Sequence, residues 1–512
     1  MAASDNLDGE TPRAETGGDP VRRPYKLVLF YGVLAFCVVC LPLLLSLLGP
    51  SFIASTYGPE HAIFELFGLS AALGLAIIAR IEFGKLKGAP NERKTPLFAG
   101  LLVAFFLLID LVEHTRKSND YEVYELAASA VAEGRSPYED PRFLYPPLPP
   151  RAMAALFGAI RSVASDARLT GDLDKFGWDC VFYFYTCCQF ALACAAYVLL
   201  YRFGRSLRMD RATASVLAAI LMVVNNPMIR TLRHNQVNLL LLDSVLVALV
   251  VLPKHPIAAG AALSMGGHVK IYPYALALPL LITRRWKALA ATVAFSVALL
   301  VIAADFGRDV AIWERFITFF LTSFPARSNL LRDNSVTTIL YHTIRFTPFA
   351  FGLDSERIMA VAGPIAFLVK IAFVAWIVQR GISRERILRE IPSGKPDHLD
   401  RDRLRFAGHA LDIMALTLLT APVVWEHHYI LAMPIVVFAW AMFGDGVSEP
   451  DTATGRARAM TILAAFLIFA VPTFDVHLLS YHRIAGLIML LWLCSPARIG
   501  SRNGKMVNAA QP

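Results

Sequence analysis

The sequence predicts an all-α, polytopic membrane protein, and three observations predict it. Of its 512 residues, 56% are hydrophobic and 17% charged. The apolar residues arrive in blocks of about 17 to 25, the length that crosses a hydrocarbon core. The basic residues collect in alternate connections between these blocks, as they do when Lys and Arg are retained on the cytoplasmic side. That pattern also accounts for the net charge of +9, which in a soluble chain would suggest nucleic acid; no nucleic-acid partner is expected here. The seven cysteines, Cys187, Cys188 and Cys194 among them, fall mostly within apolar runs, without the even spacing of a disulfide framework or a CxxC pair of zinc type. They are expected to be small residues of the membrane core.

Residues 1–23, rich in Gly, Pro, Asp and Glu, predict a disordered cytoplasmic tail. Arg22, Arg23 and Lys26 precede an uncleaved first span over 27–48, and a second over 62–81 ends at a cytoplasmic loop carrying Lys85, Lys87, Arg93 and Lys94. A third over 97–112 completes the N-terminal helices (24–113) and delivers 114–178 to the outer side. The span over 182–201 returns to Arg202, Arg205, Arg208 and Arg211; 216–224 goes out; 239–252 comes back to Lys254. Residues 257–282 have basic groups at both ends, so two short helices form a hairpin with Lys270 near its outer turn. The span over 286–304 leads to an outer loop (305–360), and 361–378 re-enters before a charged cytoplasmic loop, 380–405. Residues 406–423, 430–443, 461–471 and 484–493 complete the crossings. The core is then 114–430, followed by C-terminal spans (431–497) and a cytoplasmic tail (498–512), with about 12 to 14 transmembrane helices in all.

The residues that can carry chemistry fall at outer helix ends. In SNDYEVYELAASAVAEG, 118–134, Asn119 or Asp120 can cap a helix that Gly134 stops. An Asp at the membrane–water boundary, one turn from Tyr124, is equally where a general base would sit. In RTLRHNQVNLLLL, 230–242, Arg233, His234, Gln236 and Asn238 offer contacts to phosphate or sugar hydroxyls, or simply anchor a helix end. Asp243, deeper in the same run, must be protonated or paired. Lys270, in GGHVKIYPYALALPLL, either snorkels to the interface or faces an anion. RDNSVTTIL, 332–340, is by itself a polar loop before an apolar stretch. His427 and His428, in APVVWEHHYILAMP, place hydrogen-bond donors at phosphate depth. Neighbouring histidines diverge on a helix, so a metal centre is not expected, and no cofactor is assigned.

In order, VYELA after Asp120, GRSPY, YPPL, NQVNLLLL, KIYP, NS and WEHHY resemble glycosyltransferase family 87 over 120–429. The resemblance implies GT-C architecture and an inverting transfer from a polyprenyl-phosphate sugar to a lipid-linked or cell-envelope glycan, on the outer face of the plasma membrane. It makes mannose the favoured sugar, with arabinofuranose as the alternative within the family. Asp120 becomes the catalytic base beside Tyr124, with Lys270, His427 and His428 facing the donor phosphate. Tyr145, Arg233, His234, Gln236, Asn238 and Asn334 become substrate contacts. The chain departs from the family pattern at His234, where Gly is more usual, and at Val424, where Ser is. A donor whose activated bond lies at the membrane surface requires a lipid groove and no nucleotide-binding loop, and the chain has none. A transporter would show inverted repeats and midplane ionisable groups; no repeat is visible, and Asp243 is the main midplane exception. An envelope-assembly scaffold gives no reason for the ordered motifs.

Overall fold

The computed structural model describes residues 95–114, 117, 119–167, 172–323, 333–347, 352–390, 398–443, 453–471, 473 and 479–496. The expected tails, the spans over 27–48 and 62–81, and the basic loop between 85 and 94 lie outside these residues. Every regular element among them is helical: α1 (Thr95–His114), α2 (Asn119–Ala132), α3 (Leu148–Asp166), α4 (Leu173–Ser206), α5 (Arg211–Val223), α6 (Asn226–Arg233), α7 (Asn238–Val251), α8 (Pro256–Val269), α9 (Ala277–Ile282), α10 (Trp286–Ala303), α11 (Ala311–Ser323), α12 (Val336–Arg345), α13 (Ser355–Glu390), α14 (His398–Thr420), α15 (Met433–Met442), α16 (Ala453–Ala465) and α17 (His482–Leu493).

Local chemistry explains most of the boundaries. Asp172 accepts the Asp174 and Lys175 amides at the start of α4, and Asp210 accepts that of Thr213 in α5, so early amides without intrahelical partners find oxygen. At the end of α2, Gly134 takes φ +74°, and the Arg135 amide reaches back to the Ala130 carbonyl. Asp120 lies inside the first turn of α2, one residue beyond its start.

Among the described residues, three helices are long and apolar enough to cross a membrane: α4, α10 and most of α13. Taken together, α5 and α6 are apolar enough for a fourth, but they meet at a 54° bend just past the expected span over 216–224, where Asn225 caps the Met228 amide and Pro227 stands in the first turn of α6. The expected 12 to 14 crossings are therefore not reached among the described residues. The other apolar helices, such as Asn238–Val251 and His482–Leu493, extend only about 18 to 21 Å, short of a core about 30 Å thick.

The hairpin over 257–282 forms as α8, a 3-10 turn (Tyr272–Leu276) and α9, with Lys270 at the junction. α8 packs against α10 through Gly260, where an added Cβ would lie 2.5 Å from the Ala288 carbonyl, and Ser264 donates to the Thr292 carbonyl at 2.7 Å. Small residues permit this approach, and an internal acceptor satisfies the hydroxyl.

The charged stretch 380–405 is not a simple loop: α13 continues through Glu390, and α14 starts at His398. Arg380 and Arg384 are buried and converge on Asp412, each at 2.8 Å. Charges that suggested a solvated connection thus join α13 to α14, because a shared carboxylate offsets the cost of burying guanidinium groups.

Candidate functional site

The site begins at the turn between α6 and α7. Asn235 takes φ +49°, a conformation Asn tolerates, and reverses the chain. Two side chains of α4 hold the reversed backbone: Tyr185 donates to the Asn235 carbonyl at 2.6 Å, and Gln189 donates to that of Gln236 at 3.0 Å. The fixed Gln236 Oε1 accepts hydrogen bonds from Tyr124 of α2 and from Tyr145, both at 3.2 Å. The two tyrosine rings meet edge to face, 5.0 Å apart. Asp120, one turn before Tyr124, places Oδ2 3.6 Å from His234 Nδ1. Burial keeps the His234 imidazole below its usual range, outweighing the pull of Asp120, and the charges of Arg230 and Arg233 add to the depression.

The second half is built around Lys270, at the turn beyond α8. Its Nζ lies 3.1 Å from Asn238 Oδ1, 2.8 Å from His428 Nε2, and 5.6 Å from the ring centroids of Tyr145 and Tyr272. Burial brings the Lys270 amine down to about 7, against the opposing attraction of Asp120. The hydrogen bonding agrees with that direction. The Trp425 amide donates to His428 Nδ1 at 3.2 Å, which makes Nδ1 the acceptor and leaves the proton of the neutral ring on Nε2. Nε2–H can then donate to Lys270 only if the amine has a lone pair. An anion entering the site would reverse this, favouring the protonated amine.

The segment carrying the histidines is clamped on three sides. Asp333 accepts the Val424 amide, and the Asn334 amide donates to the Val424 carbonyl, both at 2.8 Å. Asn238 donates to the His427 carbonyl at 3.4 Å. Glu426 pairs with buried Arg483 of α17 at 2.6 Å, accepts from Thr473 at 2.8 Å, and has Arg230 at 3.7 Å. The His427 and His428 rings stand edge to face at 4.6 Å, and burial lowers both imidazoles well below their usual range.

Asp120, Tyr124, Tyr145, His234, Gln236, Asn238, Lys270 and His428 thus form one connected cluster. His427 joins it through its carbonyl, and Asn334 adjoins it through backbone. Arg233, half-buried at the end of α6, acts on His234 by charge. Val424 contributes its amide and carbonyl rather than its side chain. Asp243 lies deeper in α7, buried, with neither carboxyl oxygen hydrogen-bonded.

Sequence reasoning missed Tyr185, Gln189, Tyr272, Asp333, Glu426 and Arg483. The one available signal was Arg483, an arginine beginning an apolar run; the others resemble ordinary interfacial or capping residues. No group of three potential metal-ligating His, Cys, Asp or Glu side chains occurs among the described residues.

The described residues also line two cavities. One, about 530 Å³, is an apolar groove lined by Tyr274, Leu278, Leu281, Leu289 and Leu416; it begins with the 3-10 turn that follows Lys270. The other, about 520 Å³, lies between the Pro137–Glu139 turn and α11.

Residues 143–390 match glycosyltransferase family 87, and no solved structure matches the chain. Tyr145, Gln236, Asn238 and Lys270 lie within the matched segment. Asp120, Tyr124, His427 and His428 lie outside it and reach it through the contacts above.

Proposed function

Because that match indicates a glycosyltransferase, we propose that this membrane protein transfers a sugar, with mannose favoured, from a polyprenyl-phosphate donor to a lipid-linked or cell-envelope glycan. The reaction takes place on the outer face of the plasma membrane and inverts the anomeric centre. The observation that carries this reading is the convergence of Asp120 with Lys270 and His428 across Gln236, Asn238 and two tyrosines. It supplies a carboxylate for an incoming hydroxyl and, on the other side, cationic and imidazole groups for a departing phosphate.

Asp120 is half-exposed, with 40% side-chain accessibility. It takes the proton of the acceptor hydroxyl as that oxygen forms its bond to the anomeric carbon. The bond from that carbon to the phosphate oxygen breaks, and the electron pair leaves with the polyprenyl phosphate. Lys270, protonated once the donor's phosphate is beside it, and His428 Nε2–H stabilise the growing negative charge. Tyr145, half-buried and held by Gln236, offers its ring and hydroxyl oxygen to the sugar, while Tyr124, buried behind it, fixes Gln236 from the other side. The apolar groove beside Tyr274 gives a prenyl chain a path from the same turn into the bilayer.

The test uses the protein reconstituted in liposomes with labelled polyprenyl-phosphomannose and a lipid–glycan extract from a strain lacking the gene. The deletion strain should accumulate an acceptor short of one sugar, and the reconstituted protein should extend it. Failure to extend that extract with either polyprenyl-phosphomannose or polyprenyl-phosphoarabinose would refute the proposal.

A further inference from the structure

The cavity between the Pro137–Glu139 turn and α11 is built from the two segments that charge patterning assigns to the outer side, and the mechanism above does not use it. Its lining includes Ser136, Tyr138, Glu314, Arg315, Thr318 and Thr322, with Phe319 at one wall. At about 100° per residue, α11 has three faces. Ile312 and Phe316 are buried toward the protein. Ile317 and Leu321 are 53% and 67% exposed on a second side. Ala311, Glu314, Arg315, Thr318 and Thr322 form the third, which opens on the cavity.

The lining is chemically divided. Tyr138 and Phe319 lie 5.7 Å apart at 33°, and Tyr138 and Phe316 lie 5.9 Å apart, giving an aromatic wall. The same lining carries hydroxyls, a carboxylate and a guanidinium. Arg315 is also oriented toward Asp309, which Arg151 of α3 holds. An acyl chain would leave those polar groups without water or partners, at a cost. A sugar ring suits both sides, since its C–H face packs on aromatics and its hydroxyls pair with Glu, Arg and Thr.

Tyr138 also connects this cavity to the reaction centre. Its hydroxyl donates to the Tyr145 carbonyl at 3.2 Å, and the Tyr145 hydroxyl bonds Gln236. Ser136 lies beyond the far end of α2, whereas Asp120 lies in its first turn. The rise of α2 sets its first and last turns about 18 Å apart, the span of several linked sugar rings.

We infer that this cavity is a carbohydrate subsite that holds a distal sugar of the acceptor glycan, so that the enzyme recognises an oligosaccharide rather than only the residue it extends. The inference rests on the glycosyltransferase reading above and adds where the acceptor lies.

The full-length protein in nanodiscs would be titrated with a mannotetraose, an arabinofuranotetraose and a maltotetraose, and with the methyl glycoside of each monosaccharide, using calorimetry and saturation-transfer NMR. At least one tetrasaccharide should bind. Thr318→Trp, which fills the cavity from an exposed position, should weaken that binding about tenfold or more, and Glu314→Ala, also exposed, should weaken it by a smaller factor. Asp120→Asn should bind the tetrasaccharide like wild type. In turnover, Thr318→Trp should raise KM for a long acceptor while leaving that for a methyl glycoside unchanged. Binding of no tetrasaccharide, or unchanged binding in both cavity variants, would overturn the subsite. Transfer with an unaltered long-acceptor KM in Thr318→Trp would overturn the subsite and leave the transferase reading intact. Tetrasaccharide binding sensitive to Thr318→Trp, without transfer from any polyprenyl-phosphate sugar, would support the subsite and remove the transferase reading.

Discussion

Raising the pH through neutrality should selectively weaken donor use, because Lys270 is the cation expected to meet the phosphate and its amine titrates near 7. A buried lysine with a depressed pKa is charged below that value and loses its charge above it. The donor's phosphodiester stays anionic throughout this range, so the free enzyme sets the profile. At pH 8 about one-tenth of the amine is protonated, and at pH 9 about one-hundredth. Donor kcat/KM should therefore fall about tenfold per pH unit above 7, while kcat at saturating donor holds to higher pH, because bound phosphate favours the ammonium. The assay is initial-rate transfer from labelled polyprenyl-phosphomannose in liposomes between pH 6 and 9, with acceptor saturating. Lys270→Arg separates this cause from others: guanidinium stays charged throughout, so the descending limb should disappear even if the absolute rate drops. A flat wild-type profile, or the same limb in Lys270→Arg, would refute the assignment of Lys270 to the donor phosphate.

Asp120→Asn keeps shape and loses basicity; transfer should fall by about 10² to 10⁴ while the purified variant melts like wild type, and near-normal turnover would return Asp120 to a structural role. Gln236→Leu strands the Tyr124 and Tyr145 hydroxyls in a buried setting, at about 1 to 3 kcal/mol for each group left unsatisfied; a melting temperature unchanged in detergent would contradict the Gln236 hub. Glu426→Gln leaves the Arg483 charge buried without its partner and should destabilise the protein by about 3 to 5 kcal/mol, whereas Glu426→Gln combined with Arg483→Met should recover part of the loss in the same melt. Glu133→Cys should react with an impermeant thiol reagent in intact cells and Lys254→Cys should not, after subtraction of the wild-type background; labelling at Lys254→Cys would reverse the proposed orientation.

The membrane character, the helical class and the order of the polar clusters were legible because each depends on near neighbours. Apolar length reports a span, Lys and Arg flank it, and Asp, Asn and Pro mark helix ends within a few residues. The hairpin around Lys270 was predictable for the same reason: basic groups at both ends excluded a single crossing. Sequence failed where one local pattern fits two structures. The run over 216–224 looks like a span whether or not Asn225 and Pro227 bend it, and the charges from Arg380 onward look like a loop until Asp412, from another helix, is seen between Arg380 and Arg384.

The same limit governs the site. By itself the sequence singled out side chains with suitable chemistry: a carboxylate near a helix start, a lysine between apolar helices, a pair of histidines and an Asn–Gln turn. Only tertiary structure decided that Asp120, His234, Lys270 and His428 lie in one cluster, that Gln236 binds two tyrosines, and that Glu426 pairs with Arg483. Those contacts join residues separated by 32 to 158 positions in the cases of Lys270 with Asn238 and with His428. Hydrogen bonds are directional and a few ångströms long, so such partners are fixed by the packing of α4, α6, α7 and the 3-10 turns, information that no local stretch of sequence contains.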